Sequence, residues 1–248
     1  MQKKFFVSVS LAFLFSINLT LADKTPSQQE SLTQAIKGAI NDLVEDNAVF
    51  AESKAKEHFQ GFLDIQKPRV TMILCSDSRV QVDNFSQGAE NDIFVARNIG
   101  NQLVTTQGSV EYGVDVLKTP VLLIIGHSHC GAVKAAMGDF SKVPTAIQKE
   151  LETLDVKEAL DDKQGVILNV HQQVEKALNT FKEKVNAGEL AIIGAVYDFR
   201  NDYGYGKGRL IIVDLNGKTD PTDIRNSHYF DTIKNVSIGI KNQEEKKP

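Results

Sequence analysis

Between Val70 and Leu215 the chain alternates short apolar runs with longer amphipathic stretches. Five runs are candidate strands: VTMIL (70–74), DIFVAR (92–97), VLLII (121–125), AIIGAVY (191–197) and RLIIVDL (209–215). The first four are continuous rather than alternating, as in parallel strands covered on both faces. GSVEYGVDVLK (108–118) and NVHQQVEKALNTFKEKV (169–185) lie between them and read as helices. Strand–helix alternation predicts an α/β fold with a parallel or mostly parallel sheet. Upstream, residues 27–62 are charged and carry Leu32, Ile36, Ile40, Leu43 and Val44 at helical spacing. One or two helices are expected there, stopped by Pro68. After the fourth run, FRNDYGYGKGR (199–209) is long and Gly-rich, which predicts an extended hairpin loop. No repeat or linker interrupts the pattern. Residues 23–240 are expected to form one domain with an N-terminal helical arm, and 241–248 a polar tail.

The first residues follow a different rule. Lys3 and Lys4 precede an apolar stretch from Phe5, and Thr20-Leu21-Ala22 ends it on a small residue. This is the pattern of a secretory signal peptide over 1–22, which predicts a periplasmic or secreted protein beginning at or near Asp23. Ser8, Ser10, Ser16 and Asn18 interrupt the stretch and make it a poor permanent membrane span. A formal charge of −4 gives no reason to expect a nucleic-acid partner. Cys75 and Cys130 are the two cysteines. In an exported protein such a pair ordinarily reads as a disulfide.

Their surroundings open other readings. In open α/β sheets, ligands bind beyond the carboxyl ends of the strands. The first run leads into Cys75-Ser76-Asp77-Ser78-Arg79, and the third into Gly126-His127-Ser128-His129-Cys130-Gly131. His127 and Cys130 have an H-x-x-C spacing, so both can point at one metal ion. A thiolate from the neighbouring strand end would complete a Cys₂His set. Zinc favours those donors, and three protein ligands leave the open position of a catalytic site. A Cys75–Cys130 disulfide and a Cys–His nucleophile pair, as in thiol hydrolases, stay open as alternatives. Against both stands the joint pattern, which adds an Asp–Arg pair. His129 and His171 read as surface or supporting residues rather than ligands.

With CSDSR (75–79), ARNIGN (96–101), VEYGVDVL (110–117), GHSHCGAVKAA (126–136) and GAVYD (194–198), the chain resembles the β-class carbonic anhydrases, here of an exported bacterial type. The resemblance runs from about Leu32 to Leu215. It implies a mostly parallel sheet of four strands plus an extra edge strand, flanked by helices, in dimers or multiples of dimers. It implies one Zn²⁺ per chain on Cys75, His127 and Cys130. Asp77 would accept a hydrogen bond from the hydroxide at the open position, or replace it as a fourth ligand in a closed form. Arg79 would hold Asp77. Phe94, Ile99 and Tyr112 fall where the family lines an apolar CO₂ pocket. Gln66 falls where members bind bicarbonate across the dimer interface. The implied activity is that of a lyase in carbon utilisation, hydrating CO₂ reversibly to bicarbonate and a proton. Alternatives on the same scaffold are hydrolysis of CS₂ or COS, and non-catalytic zinc binding. The Asp77–Arg79 pair argues against the last, because zinc storage needs neither residue. The long 199–209 connection departs from the family's short turn without touching its signature motifs.

Overall fold

The computed structural model describes residues 25–233 and 235–241. The expected signal peptide and most of the polar tail lie outside these residues. The described chain falls into two compact units that divide between Gly61 and Phe62.

The first unit is built on one long helix, α1 (Pro26–Ser53). Its start is specified locally. The Gln28 backbone N–H donates to the Thr25 hydroxyl at 3.3 Å, the Thr25 N–H donates to Oε1 of Gln28 at 3.0 Å, and Pro26 occupies the first turn. This reciprocal cap satisfies two otherwise unpaired donors. The apolar spacing that predicted one or two helices thus resolves into one, followed by a 3₁₀ turn at His58–Phe62.

The second unit carries the sheet. Its strands are β1 (Val70–Cys75), β2 (Ile93–Asn98), β3 (Val121–His127), β4 (Ala191–Asp198), β5 (Arg209–Leu215) and β6 (Ser237–Ile238), in the order β2-β1-β3-β4-β5-β6. The first four are mutually parallel. β5 returns antiparallel to β4 as a hairpin, and β6 lies parallel to β5. The expected four parallel strands and the extra one are present, but the extra strand is not the edge. β6 covers it. A two-residue strand carries no periodicity, so sequence pattern does not reveal it.

Helices α2 (Gln107–Glu111), α3 (Gly131–Met137), α4 (Thr145–Leu151), α5 (Asp162–Asn186) and α6 (Pro221–Arg225) complete the unit. The stretch expected as one helix over 108–118 is α-helical only to Glu111. It continues as a π-helical turn at Tyr112–Val116, where the Leu117 N–H bonds the Tyr112 carbonyl at 3.0 Å. Ile73, Leu122, Ile124 and Ile192 pack on one face of the sheet with Val110, Val114, Val174 and Phe181. Met72, Leu74, Ile125, Ala195 and Ile212 pack with Val80, Ile224 and Phe230.

Two strand glycines set how closely α5 approaches. A Cβ on Gly194 would lie 2.8 Å from Cγ1 of Val170, and one on Gly126 would lie 2.7 Å from Cγ2 of the same residue. Both distances are shorter than carbon–carbon contact allows. Glycine at these points lets α5 seat directly against β3 and β4, one residue before His127.

Candidate metal centre

β1 and β3 are adjacent and in register, Leu74 beside Ile125. Their carboxyl ends therefore deliver Cys75 and His127 to the same place. Cys130 follows three residues later, at the start of α3. All three side chains are buried, and their ligand atoms lie within 4.8 Å of one another. The two sulfurs are 4.0 Å apart. A tetrahedral zinc with Zn–S bonds of about 2.3 Å would hold two sulfurs about 3.8 Å apart, so little movement is needed.

The histidine is set up as a ligand. Nδ1 lies 3.1 Å from the Ser128 carbonyl, which can only accept, so Nδ1 carries the proton. Nε2 is left with its lone pair. It is fully buried, with no hydrogen-bond partner among the described residues. A buried polar atom without a partner is costly. A cation between this nitrogen and the two sulfurs removes that cost, so the donor set fits zinc.

The thiols point the same way. Cys130 beside it, then His127 and the Gly100 N–H at 3.4 Å, push the Cys75 thiol down against the opposing effect of burial. Cys130 moves up, first because of Cys75 and then because it is buried. Of the two thiols, Cys75 therefore gives up its proton the more readily and Cys130 the less readily. A divalent ion would take the place of the thiol protons.

Asp77 sits at the rim. Its Oδ2 is 3.8 Å from Nε2 of His127, yet both its oxygens are engaged elsewhere. Arg79 donates from Nε to Oδ1 at 2.9 Å and from Nη2 to Oδ2 at 2.6 Å, and its backbone N–H donates to Oδ1 at 3.0 Å. The guanidinium, above all, holds the Asp77 carboxyl well below the usual carboxylate range. Asp77 is therefore an ionised, acceptor-only group at neutral pH.

Two residues shape this centre without a role in the sequence reading. Arg97 on β2 donates from Nη2 to the carbonyls of Cys75 at 2.8 Å, Asp77 at 3.1 Å and Val80 at 2.5 Å. One side chain thus gathers the whole turn that carries Cys75, Asp77 and Arg79. Its signal was a permanent cation directly after the apolar run 93–96, inside the ARNIGN group. Phe199, directly after β4, stacks on the His127 imidazole with ring centroids 6.0 Å apart and planes 24° from parallel. Nothing in its local sequence announces that contact.

The structure brings only one of the expected pocket residues to the metal centre of its own chain. Ile99 packs against the apolar cluster that includes Cys75 and Cys130. Phe94 is registered with Thr71, four strand positions before Cys75, and its ring lies 5.8 Å from that of Tyr112. Tyr112 is 43% exposed, and Gln66 is exposed on the approach to β1. His129 and His171 are not brought to the centre as ligands. Their Nδ1 atoms lie 2.9 Å from the carboxylates of Asp162 and Asp214.

Fold and site together define a buried cluster of two cysteines and one histidine, fit to hold a metal ion, at the carboxyl edge of a mostly parallel sheet. Known proteins share this frame. The carbonic anhydrase family profile matches residues 70–204, more than half of the chain, which belongs to that family and to its β class. Carbonic anhydrase 2 of Mycobacterium tuberculosis is 29% identical over 179 residues, covering 66% of this chain and 84% of the relative. The chloroplastic β carbonic anhydrase 5 of Arabidopsis thaliana is 27% identical, covering 74% of this chain and 72% of the relative. A solved tetrameric β-carbonic anhydrase of Sordaria macrospora superimposes with a TM-score of 0.61 at 26% identity, over 71% of this chain and 97% of that one.

Proposed function

We infer that Cys75, His127 and Cys130 hold one Zn²⁺ per chain, and that the enzyme hydrates CO₂ reversibly to bicarbonate and a proton. The observation that carries the zinc assignment is the buried, partnerless Nε2 of His127 facing two cysteine sulfurs. Zinc, when bound, supplies hydroxide at neutral pH by lowering the pKa of a water to about 7. The protein's own residues do the rest. Asp77 can only accept, so the nucleophile must direct its hydrogen there and a lone pair toward CO₂. Arg79 occupies both carboxylate oxygens and opposes their movement onto the metal. Ile99 supplies apolar surface beside the centre for an apolar substrate.

Full-length protein loaded with zinc is expected to contain one equivalent per chain and to hydrate CO₂ in a stopped-flow assay. Active protein that contains no metal and a Cys75–Cys130 disulfide would overturn the assignment.

Assembly and location complete the proposal. Gln66, Phe94 and Tyr112 lie away from the metal centre of their own chain, which supports a dimer, or a multiple of dimers, in which a second copy completes the substrate pocket. The Sordaria macrospora relative is a tetramer. Residues 1–22 are proposed as a cleaved leader that sends the enzyme to the periplasm or beyond the cell. Among the described residues no helix is long and apolar enough to cross a membrane. N-terminal sequencing of the exported protein is expected to start at or near Asp23. Retention of Met1 to Ala22 in a membrane fraction would contradict cleavage.

A further inference from the structure

The connection between β4 and β5, residues 199–208, supplies none of the candidate metal ligands, yet its first side chain lies against one of them and against Arg79. The Phe199 ring stacks on the His127 imidazole. It also lies under the Arg79 guanidinium, whose Cζ is 4.8 Å from the ring centroid. One aromatic ring therefore touches both a metal-binding imidazole and the fork that holds Asp77.

The loop behind that ring is built rather than slack. Asp198 is fully buried, and its carboxylate accepts the backbone N–H groups of Arg200 at 3.2 Å, Asp202 at 3.0 Å and Tyr203 at 2.9 Å. The Gly208 N–H closes the loop on the Asp198 carbonyl at 2.7 Å. The Tyr203 hydroxyl donates to the Lys163 carbonyl at 3.0 Å, and the Tyr205 hydroxyl to the Ile238 carbonyl at 2.6 Å. Tyr197, paired with His127 across the β3–β4 ladder, braces the ring from the strand, its centroid 5.8 Å away. These contacts tie the loop to α5 and β6 and fix where Phe199 leaves β4.

Arg79 needs such a fixture. Its side chain is 47% exposed, so solvent competes for the guanidinium, and a long side chain loses entropy on being held. An aromatic face attracts a guanidinium electrostatically and costs it no hydrogen bond to Asp77. Stacking on the imidazole also resists rotation of the His127 ring about its own axis.

We propose that Phe199 is a positioning residue for CO₂ hydration. It holds the Arg79 fork on Asp77 and the plane of His127, and the long 199–208 loop is the brace that places it. The proposal rests on the zinc reading of Cys75, His127 and Cys130.

The test uses full-length Phe199→Leu and Phe199→Tyr. Leucine keeps apolar packing and removes the aromatic face, whereas tyrosine keeps the face. Phe199→Leu is expected to lower kcat by about two- to thirty-fold, the range expected for losing one cation–π contact. Zinc content should stay at the parent level and KM within about twofold, because the substrate surface is untouched. The cobalt-substituted Leu variant should show a changed visible spectrum as Asp77 gains access to the metal. In the metal-free chain, hydrogen exchange at Nε of Arg79 should be faster for Leu than for the parent. Phe199→Tyr should match the parent in every measurement. Equal losses in Leu and Tyr, or a Leu variant with parent rate, spectrum and Arg79 exchange, would overturn the proposal. A parent that binds no zinc would instead defeat the metal assignment, and the Arg79 exchange would still decide whether Phe199 holds the fork.

Discussion

Asp77→Asn is expected to lose CO₂ hydration by a factor of roughly 10² to 10³ while keeping its zinc, the size of effect seen when one transition-state hydrogen-bonding group is removed. The change is nearly isosteric, so packing is preserved. What changes is direction. The carboxylate can only accept, whereas the amide presents an NH₂ that can donate toward the nucleophile and turn its lone pair away from CO₂. The amide also gives up the ionised partner of Arg79, which now binds through two charge-assisted bonds at 2.9 and 2.6 Å. Arg79→Ala reaches a similar loss by another route, since it frees Asp77 to move toward Nε2 of His127, only 3.8 Å away. Zinc analysis and stopped-flow rates, measured on the same samples, check both variants. Full activity in Asp77→Asn would remove the orienting role from Asp77 and leave the metal assignment untouched. The acid limb of the pH profile offers a further check. The folded pKa of Asp77 is depressed, so the pair's contribution is fully present above the ordinary carboxylate value of about 3.9 and is lost only as pH falls through the lower folded value. A fall in rate nearer neutral pH therefore reports something other than protonation of Asp77.

How much of this was legible beforehand depends on how local each signal is. β1 and β3 are continuous apolar runs, and each leads into residues that buried strands seldom need. The strands could therefore be read directly, and Cys75, Asp77, Arg79, His127 and Cys130 stood out as candidates, whose roles came from the family resemblance. Helices α3, α4 and α6 span only five to seven residues, too few turns for an amphipathic period to stand out. The π-helical turn at Tyr112–Val116 keeps helical composition and differs only in hydrogen-bond register. Arg97 and Phe199 escaped for a different reason. Their partners lie 17 to 22 residues away for the carbonyls that Arg97 binds, and farther still for the contacts of Phe199 with His127 and Arg79. Such pairings arise only when the sheet order is known. The long loop could be seen in the sequence as a departure, but its reason lies in the buried Asp198 carboxylate and the ring that follows it.

Cys75→Ser is expected to fail in the opposite way from Asp77→Asn, losing both metal and activity. Serine keeps the shape of a side chain that is only 4% exposed, so the sheet end should still fold. Its hydroxyl remains protonated at neutral pH, whereas the Cys75 thiol is pushed down and gives up its proton far more readily. Zinc would face one thiolate and one imidazole in place of two thiolates and an imidazole, and it binds softer, deprotonated donors best. After dialysis against a chelator at a strength that leaves the parent loaded, the variant should contain essentially no zinc and hydrate CO₂ no faster than buffer. Its far-ultraviolet circular dichroism should match that of metal-free parent, which separates loss of a ligand from loss of the fold. The two variants together divide the CSDSR turn by function. A residue that binds metal takes the zinc with it when replaced, and a residue that orients the nucleophile leaves the zinc behind. Stoichiometric zinc and parent rates in Cys75→Ser would mean that the buried thiolate at the end of β1 is not a ligand, and the centre would have to be rebuilt around His127 and Cys130 alone.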